Sequence, residues 1–481
     1  VRRNRVPRPL LAILGVVLVA ALAWTFAEPP LQGADESAHF SYVQEIADAH
    51  DIPWRDSSKG RLPAAFGPAV STELRTAWLW AGLEPLRGNL AARPLWTKED
   101  ERIWAREDAK LRPEDRRDAA GSNVFRNPPL YYLTATVPYE IAGGTFFDRL
   151  YAMRLWGVAL LLVTVVLTWL LAGVLFGGRR EAQVVAAVAV GMQPVLLDVT
   201  TRVTPDALLI PLCAAALYLM VLLAARGFTW QRTGLLVAVL AAACFTQGRA
   251  IAFVLPGLFA IGLAGWRRLR APATTRPLGR GAVAAAWVVA IALLALGFGL
   301  YASRFSLGDI PGFWSYLWQF YLPKLPGMTH PIGPDWDVEN VYLNRFFGTF
   351  VQFEVGFPRD LLDWIRVAIW VGLALLVVAA WRHRRALAAR RDVVLVLCVA
   401  PVLVLVGVHA ASFRALLDNP ADPVITGRYL LMLIPLYGIA VAGALRALPG
   451  RTRALTTGAV LAALVLLQLS AFGLVVERFY A

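Results

Sequence analysis

Three stretches of the 481-residue chain hold most of the side chains that could do chemistry. The first, EPPLQGADESAHFSYVQEIADAH, occupies residues 28–50. Asp35 and Glu36 stand at a helix start there. Asp35 and His39, four apart, share one face of that helix, and Tyr42 follows on the next turn. A carboxylate beside a membrane interface either has its pKa raised by desolvation or binds a cation. Asp35 and Glu36 therefore suit a general base or a metal ligand, with His39 and Tyr42 placed to assist an acceptor or a metal. The same spacing also fits an ordinary helix cap, with the acids on the positive end of the dipole.

The second stretch, DVTTRVTPDALLIPL, carries Asp198, Arg202 and Asp206, and Asp206 opens an apolar helix after Pro205. Two separate acids on one aqueous surface are a basis for acid/base or metal chemistry, so Asp35 and Asp206 are also the candidate ligands for a divalent cation such as Mg, Mn or Ca. The third stretch, FRALLDNPADPVITGRYLLMLIPL, places Arg428 just inside an apolar run, and TQGRAIAF places Arg249 similarly. A charge at that depth needs a job or a partner. A guanidinium suits a lipid phosphate through paired hydrogen bonds, which makes Arg428, Arg249 and Arg202 the phosphate candidates. The alternative for Arg428 is a salt bridge to Asp206 or Asp422. His330, Asp335, Asp337 and Glu339 in HPIGPDWDVEN read as a solvated loop. No Walker loop, GxSxG elbow or HExxH occurs in a meaningful context.

The elements that must position these residues are membrane spans. The chain is 58% hydrophobic and only 17% charged, with a mean hydropathy of +0.56, against about 25% charged in soluble domains. That excludes a soluble enzyme, a disordered chain and a disulfide-stapled module. Cys213, Cys244 and Cys398 all lie in apolar runs, so no disulfide framework is implied. Residues 9–27 read as a retained signal anchor after a basic N-terminus. Further spans are predicted near 150–176, 182–198, 206–225, 233–248, 250–265, 281–302, 361–381, 392–410, 427–445 and 453–475, about eleven in all. The N-terminus and the intervening Arg-rich loops together hold 21 Arg against two acids, Glu181 and Asp392. This positive-inside pattern puts them in the cytoplasm and excludes a nucleic-acid face despite the net charge of +14. The segment 128–144, interrupted by Pro128, Pro129 and Pro138, is then a re-entrant or membrane-skirting helix. The expected organisation is an anchor (1–27), a large, mostly helical extracytoplasmic loop (28–149), spans two to seven (150–302), a second long extracytoplasmic loop (303–360) and spans eight to eleven (361–481). The reactive groups thus face a side without nucleotides, so an energy-rich donor must arrive through the lipid, as a polyprenyl-phosphate adduct.

The order PP…DE..HF, NPPLYY, RL before the second span, a TPD turn and TGRYLLMLIPL resembles the DUF2142 family of bacterial multi-pass proteins. More distantly it resembles the GT-C superfamily of polyprenyl-phosphate-sugar glycosyltransferases. The resemblance implies an all-α GT-C-like bundle in the bacterial plasma membrane, with a cytoplasmic N-terminus and an extracytoplasmic active site. It implies Asp35 or its neighbour Glu36 as catalytic base, Asp206 as a second acid assisting metal or acceptor, and Arg428 on the phosphate. Thr204 stands where the family pattern has Asn. The implied reaction is inverting transfer of a sugar from a polyprenyl-phosphate donor to an envelope glycan, lipid or protein. The alternatives from other classes are a flippase or transporter of envelope glycolipids and an envelope polysaccharide polymerase or ligase.

Overall fold

The computed structural model describes residues 6–54, 70–83, 86, 88–94, 96–119, 121–270, 309–328, 336–351, 353–419 and 425–481. They form an all-helical polytopic membrane protein. The first span, α1 (Arg8–Ala27), starts behind Pro7 and stops at Glu28, where Pro29 and Pro30 forbid further helix. The loop that follows contains α2 (Glu36–Asp48), α3 (Thr72–Trp80), α4 (Lys98–Asp108) and α5 (Leu130–Ala142). A capping box between Thr97 and Asp100 opens α4. At 13 residues, α5 is too short to cross a bilayer. The chain re-enters through α6 (Phe146–Leu175), opened by a second capping box between Thr145 and Asp148.

Then come α7 (Arg180–Gly191), α8 (Pro194–Thr200), α9 (Asp206–Arg226), α10 (Trp230–Thr246) and α11 (Val254–Arg270). After these lie α12 (Ile310–Tyr321), α13 (Arg359–Arg382), α14 (Arg391–Asp418), α15 (Ile434–Leu445) and α16 (Gly450–Tyr480). Short 3-10 turns, Gly248–Phe253 and Gly427–Leu433, lead into α11 and α15. A two-stranded antiparallel ribbon, β1 (Thr349–Phe350) and β2 (Val355–Gly356), pairs Thr349 with Gly356.

Among the described residues eight helices are long and apolar enough to span, or nine if α7 and α8, bent by 57° at their break, count as one. The span expected at 182–198 is this broken pair, because Pro194 cannot continue the ladder of α7. The segment expected at 233–248 is the 17-residue α10, and the span expected at 281–302 lies outside the described residues.

The long helix α6 packs against α1, α5, α7 and α9 and so lies at the centre of the bundle. Gly157 on α6 meets the last residue of α8. A Cβ there would sit 2.1 Å from the Thr200 carbonyl oxygen, so only glycine permits the approach. By contrast α13 buries none of its apolar window and presents Trp364, Trp370 and Trp381 outward. An apolar helix with tryptophan near both ends suits lipid and its two interfaces.

The helix ends sort into two faces. At one, Arg390 donates to Leu175 O (3.0 Å), Arg268 to Phe228 O (3.2 Å) and Arg267 to Ala224 O (2.8 Å), tying the basic loops together. At the other, the two long loops and the C-terminal end of α16 meet. Gly88 N donates to Glu354 (2.9 Å), and Arg478 donates to Leu86 O (2.9 Å), Asn89 O (3.1 Å) and Glu354 (3.2 Å). The second loop is further pinned by His409 of α14, whose ring nitrogens hydrogen-bond the Tyr316 (2.9 Å), Tyr321 (2.8 Å) and Tyr342 (3.2 Å) hydroxyls.

This arrangement predicts that a membrane-impermeant maleimide reaches Glu101→Cys and Lys324→Cys from one side of the membrane. Arg385→Cys should be reached only from the other, in a chain with Cys213, Cys244 and Cys398 replaced. Labelling of Lys324→Cys from the Arg385 side would overturn the two-faced layout.

Candidate active site

The turn that leaves α1 is built around a guanidinium. Arg154, fully buried on α6, donates to both oxygens of Glu36 (2.9 and 2.6 Å) and to the carbonyls of Thr25 (3.0 Å), Glu28 (2.8 Å) and Pro29 (3.1 Å). Glu36 also accepts from Leu31 N (2.9 Å) and from Val203 N (3.1 Å), which joins the turn to the residues ahead of α9. Burial pushes the Glu36 carboxyl up, but the charge and hydrogen bonds of Arg154 outweigh this and hold it below the usual carboxylate range. A carboxylate so enclosed is ionised and positions its surroundings. It is not free to accept a substrate proton.

Asp35 differs in every respect. It is exposed, and its backbone is in the left-handed region (φ +57°). It stands at the N-cap of α2, where its backbone carbonyl accepts from His39 N (2.9 Å), yet its carboxylate does not cap the helix and has no hydrogen bond from a described residue. Left-handed backbone is unfavourable for most side chains and least so for Asn and Asp. Here the Glu36–Arg154 contact, one residue on, holds it in place.

One turn further, buried His39 shares its Nδ1 with the Tyr132 hydroxyl (2.9 Å). Asn127 also donates to that hydroxyl oxygen (3.1 Å), which leaves the hydroxyl proton available to Nδ1. Desolvation lowers the His39 pKa to about 4, against the pull of Asp35, so the ring is neutral at physiological pH. Tyr42 stacks on Tyr132 with ring centroids 3.8 Å apart and donates to Asn127 O (3.1 Å). It supports the NPPLYY segment from behind.

Asp206, the first residue of α9, is met by two arginines. Arg249 donates to its Oδ1 and lies 3.9 Å over the Tyr429 ring. Arg428 brings Nε within 3.1 Å of Oδ2 without directing its N–H there, so that Nε is buried without a hydrogen-bond partner among the described residues. Both arginines follow a glycine in the first turn of a 3-10 segment, each preceded by an extended residue, Gln247 or Thr426. Three helix starts thus converge, and the positive ends of their dipoles favour an anion. The approach is close: a Cβ on Gly427 would lie 2.6 Å from Phe346 N and 2.8 Å from Val341 O. The charges acting on His39 are those of Asp35, Arg428, Asp206 and Glu36, which puts the helix-starting acid and the two-arginine cluster around one imidazole.

The structure therefore gathers Asp35, His39, Asp206, Arg249 and Arg428, and assigns three expected site residues elsewhere. Glu36 is behind the site on Arg154, and Tyr42 is behind it on Asn127. Arg202 is buried between Glu28 (2.8 Å) and Asp198, so its guanidinium has no face left for a phosphate. Among the described residues no three His, Cys, Asp or Glu form a metal-ligating group. Each oxygen of Asp206 faces a guanidinium, Oδ1 that of Arg249 and Oδ2 that of Arg428. His330, Asp335 and Asp422 lie outside the described residues. Arg154 is the residue that sequence reasoning missed, although its position inside a predicted span was itself the signal.

Removing one partner of the Glu36–Arg154 pair leaves a buried charge alone. Arg154→Met should lose about 3–5 kcal/mol of stability, seen as a lower melting temperature of the detergent-solubilised protein. Adding Glu36→Gln should restore part of it. A single variant that melts like the parent would remove the pair from its organising role.

No curated protein matches the chain. Among solved structures it is similar to ArnT from Cupriavidus metallidurans, whose crystal structure was determined bound to undecaprenyl phosphate. The TM-score is 0.45 at 17% identity, over 94% of this chain and 63% of that one. The family described as "Predicted membrane protein (DUF2142)" matches residues 18–437, a range that takes in every residue of the site, and the chain belongs to that family.

Proposed function

We propose that the protein is an inverting glycosyltransferase of GT-C type that moves a sugar from a polyprenyl-phosphate donor to an extracytoplasmic acceptor in a bacterial plasma membrane. The observation that carries this reading is the pairing of an exposed, unengaged carboxylate with a two-arginine, three-helix-start cluster across a neutral histidine. The first suits proton removal, and the second suits a departing phosphate.

In the proposed reaction the acceptor hydroxyl gives its proton to the Asp35 carboxylate as its oxygen attacks the sugar C1. The bond from C1 to the phosphate oxygen breaks, that oxygen keeps the electron pair, and C1 inverts. The terminal nitrogens of Arg428 take the polyprenyl phosphate. Arg249 and the N–H groups at the start of α9 and of the two 3-10 turns add to the field. Asp206 holds both guanidiniums in place, and His39 offers Nε2–H to orient the acceptor. No step is routed through a metal.

A second reading, a flippase for envelope glycolipids, draws on the 57° break between α7 and α8, since transporters place broken helices at their sites. It gives no role to the unengaged Asp35.

Asp35→Asn is a clean test because Asn tolerates the same left-handed backbone. Transfer should fall by about a hundredfold or more, measured as polyprenyl phosphate released from a panel of polyprenyl-phosphate sugars, with the melting temperature unchanged. Normal turnover would refute the base assignment. Donor movement across vesicles without any release from the parent protein would favour the flippase. Arg428→Lys replaces a two-pronged donor by a point charge. Donor affinity should drop while stability holds, because Arg249 still pairs with Asp206. Unchanged affinity with a lowered melting temperature would make Arg428 structural.

A further inference from the structure

At the opposite, basic face the ends of α7, α15 and α16 form a shallow cleft lined by Arg179, Arg446 and Arg453 together with Glu181 and Thr457. Its floor is apolar, made by Ala182, Val185, Ala442 and Leu445. The charges do not balance within it. Glu181 is the one acid in the lining, and it reaches Arg453 Nε only at 3.5 Å. Arg446 lies beside the Phe176 ring (5.5 Å), and its Nε is buried without a hydrogen-bond partner among the described residues. The Thr457 hydroxyl is buried and unpartnered in the same way. Burial, with Arg179 and Arg453 as like-charged neighbours, lowers the Arg446 pKa.

We propose that this cleft binds the phosphate of an anionic phospholipid from the leaflet at the basic face, at a site separate from the catalytic cluster. Three guanidiniums and a hydroxyl supply donors for phosphate oxygens. Helix-bounded basic pockets at this membrane depth suit anionic headgroups. The apolar floor favours a lipid over a free ion, because it offers an apolar surface beside the guanidiniums that only a lipid would cover.

The test uses full-length protein exchanged into phosphatidylcholine nanodiscs. Phosphatidylglycerol is then titrated in, and bound lipid is counted by native mass spectrometry beside the melting temperature. The parent should retain anionic lipid and melt higher with it. The double variant Arg446→Gln/Arg453→Gln should bind it about tenfold more weakly or worse. The control Arg384→Gln/Arg385→Gln, with the same charge loss on the same face outside the cleft, should behave as the parent. Arg179→Gln, on the exposed rim, serves if the double variant does not fold, and should weaken binding in the same direction. Equal loss in the control would reduce the effect to overall charge and overturn the site. Stabilisation by inorganic phosphate matching that by phosphatidylglycerol would overturn the lipid in favour of a free anion. Transfer activity is not read, so the outcome stands apart from the catalytic proposal.

Discussion

The arrangement of the site depends on a buried ion pair. Arg154 has no exposed surface and makes five hydrogen bonds, two to Glu36 and three to carbonyls at the end of α1. The Thr25 and Glu28 carbonyls are among the orphans every helix leaves at its C-terminus, here satisfied by a side chain from the next span, and Pro29 follows just beyond the cap. The same contact sets the start of α2, forces the left-handed conformation of Asp35 and, through Val203, fixes the approach to α9. In a low-dielectric setting such a pair is weak evidence for net stability but strong evidence for a unique geometry, because every alternative leaves a charge unpaired.

The second organising feature is the opposition at Asp206. Arginine at a helix start is electrostatically unfavourable, since it meets the positive end of the dipole. Two such residues, Arg249 and Arg428, are tolerated because a carboxylate stands between them. One acid against two guanidiniums and three helix starts leaves a positive surplus beside Asp35. The 3-10 geometry also matters: its tighter turn brings the residue after each glycine around toward Asp206.

Much of this was legible in the sequence. Apolar runs located the spans, and Arg content ordered the loops, because both follow from the cost of placing charge in hydrocarbon. Asp35, Asp206, Arg249 and Arg428 stood out as charges at span ends. Which of them met which was not legible. Arg202 looked equivalent to Arg428, but its partner Glu28 is 174 residues away in the chain. Adjacent Asp35 and Glu36 looked interchangeable until a residue 118 positions on selected one of them. The recurring Gly-Arg pair at 248–249 and 427–428 was a usable signal for the converging 3-10 turns. The wide turn Val338–Asn344 reflects packing that no local pattern encodes.

The separation between Glu36 and Arg154 also sets an order of events during biosynthesis. The ribosome delivers Glu36, with most of the first loop, before Arg154 is made. Until α6 inserts, the acid has no guanidinium and the carbonyls ending α1 have no donor, so the turn carrying Asp35 cannot settle. The loop must wait in an unfinished state, open to chaperones and proteases, and closes only when the second span arrives. A nascent chain halted before residue 154 lacks the guanidinium of the turn, and one halted soon after α6 has that guanidinium but still lacks Arg202 and Val203, which meet Glu28 and Glu36.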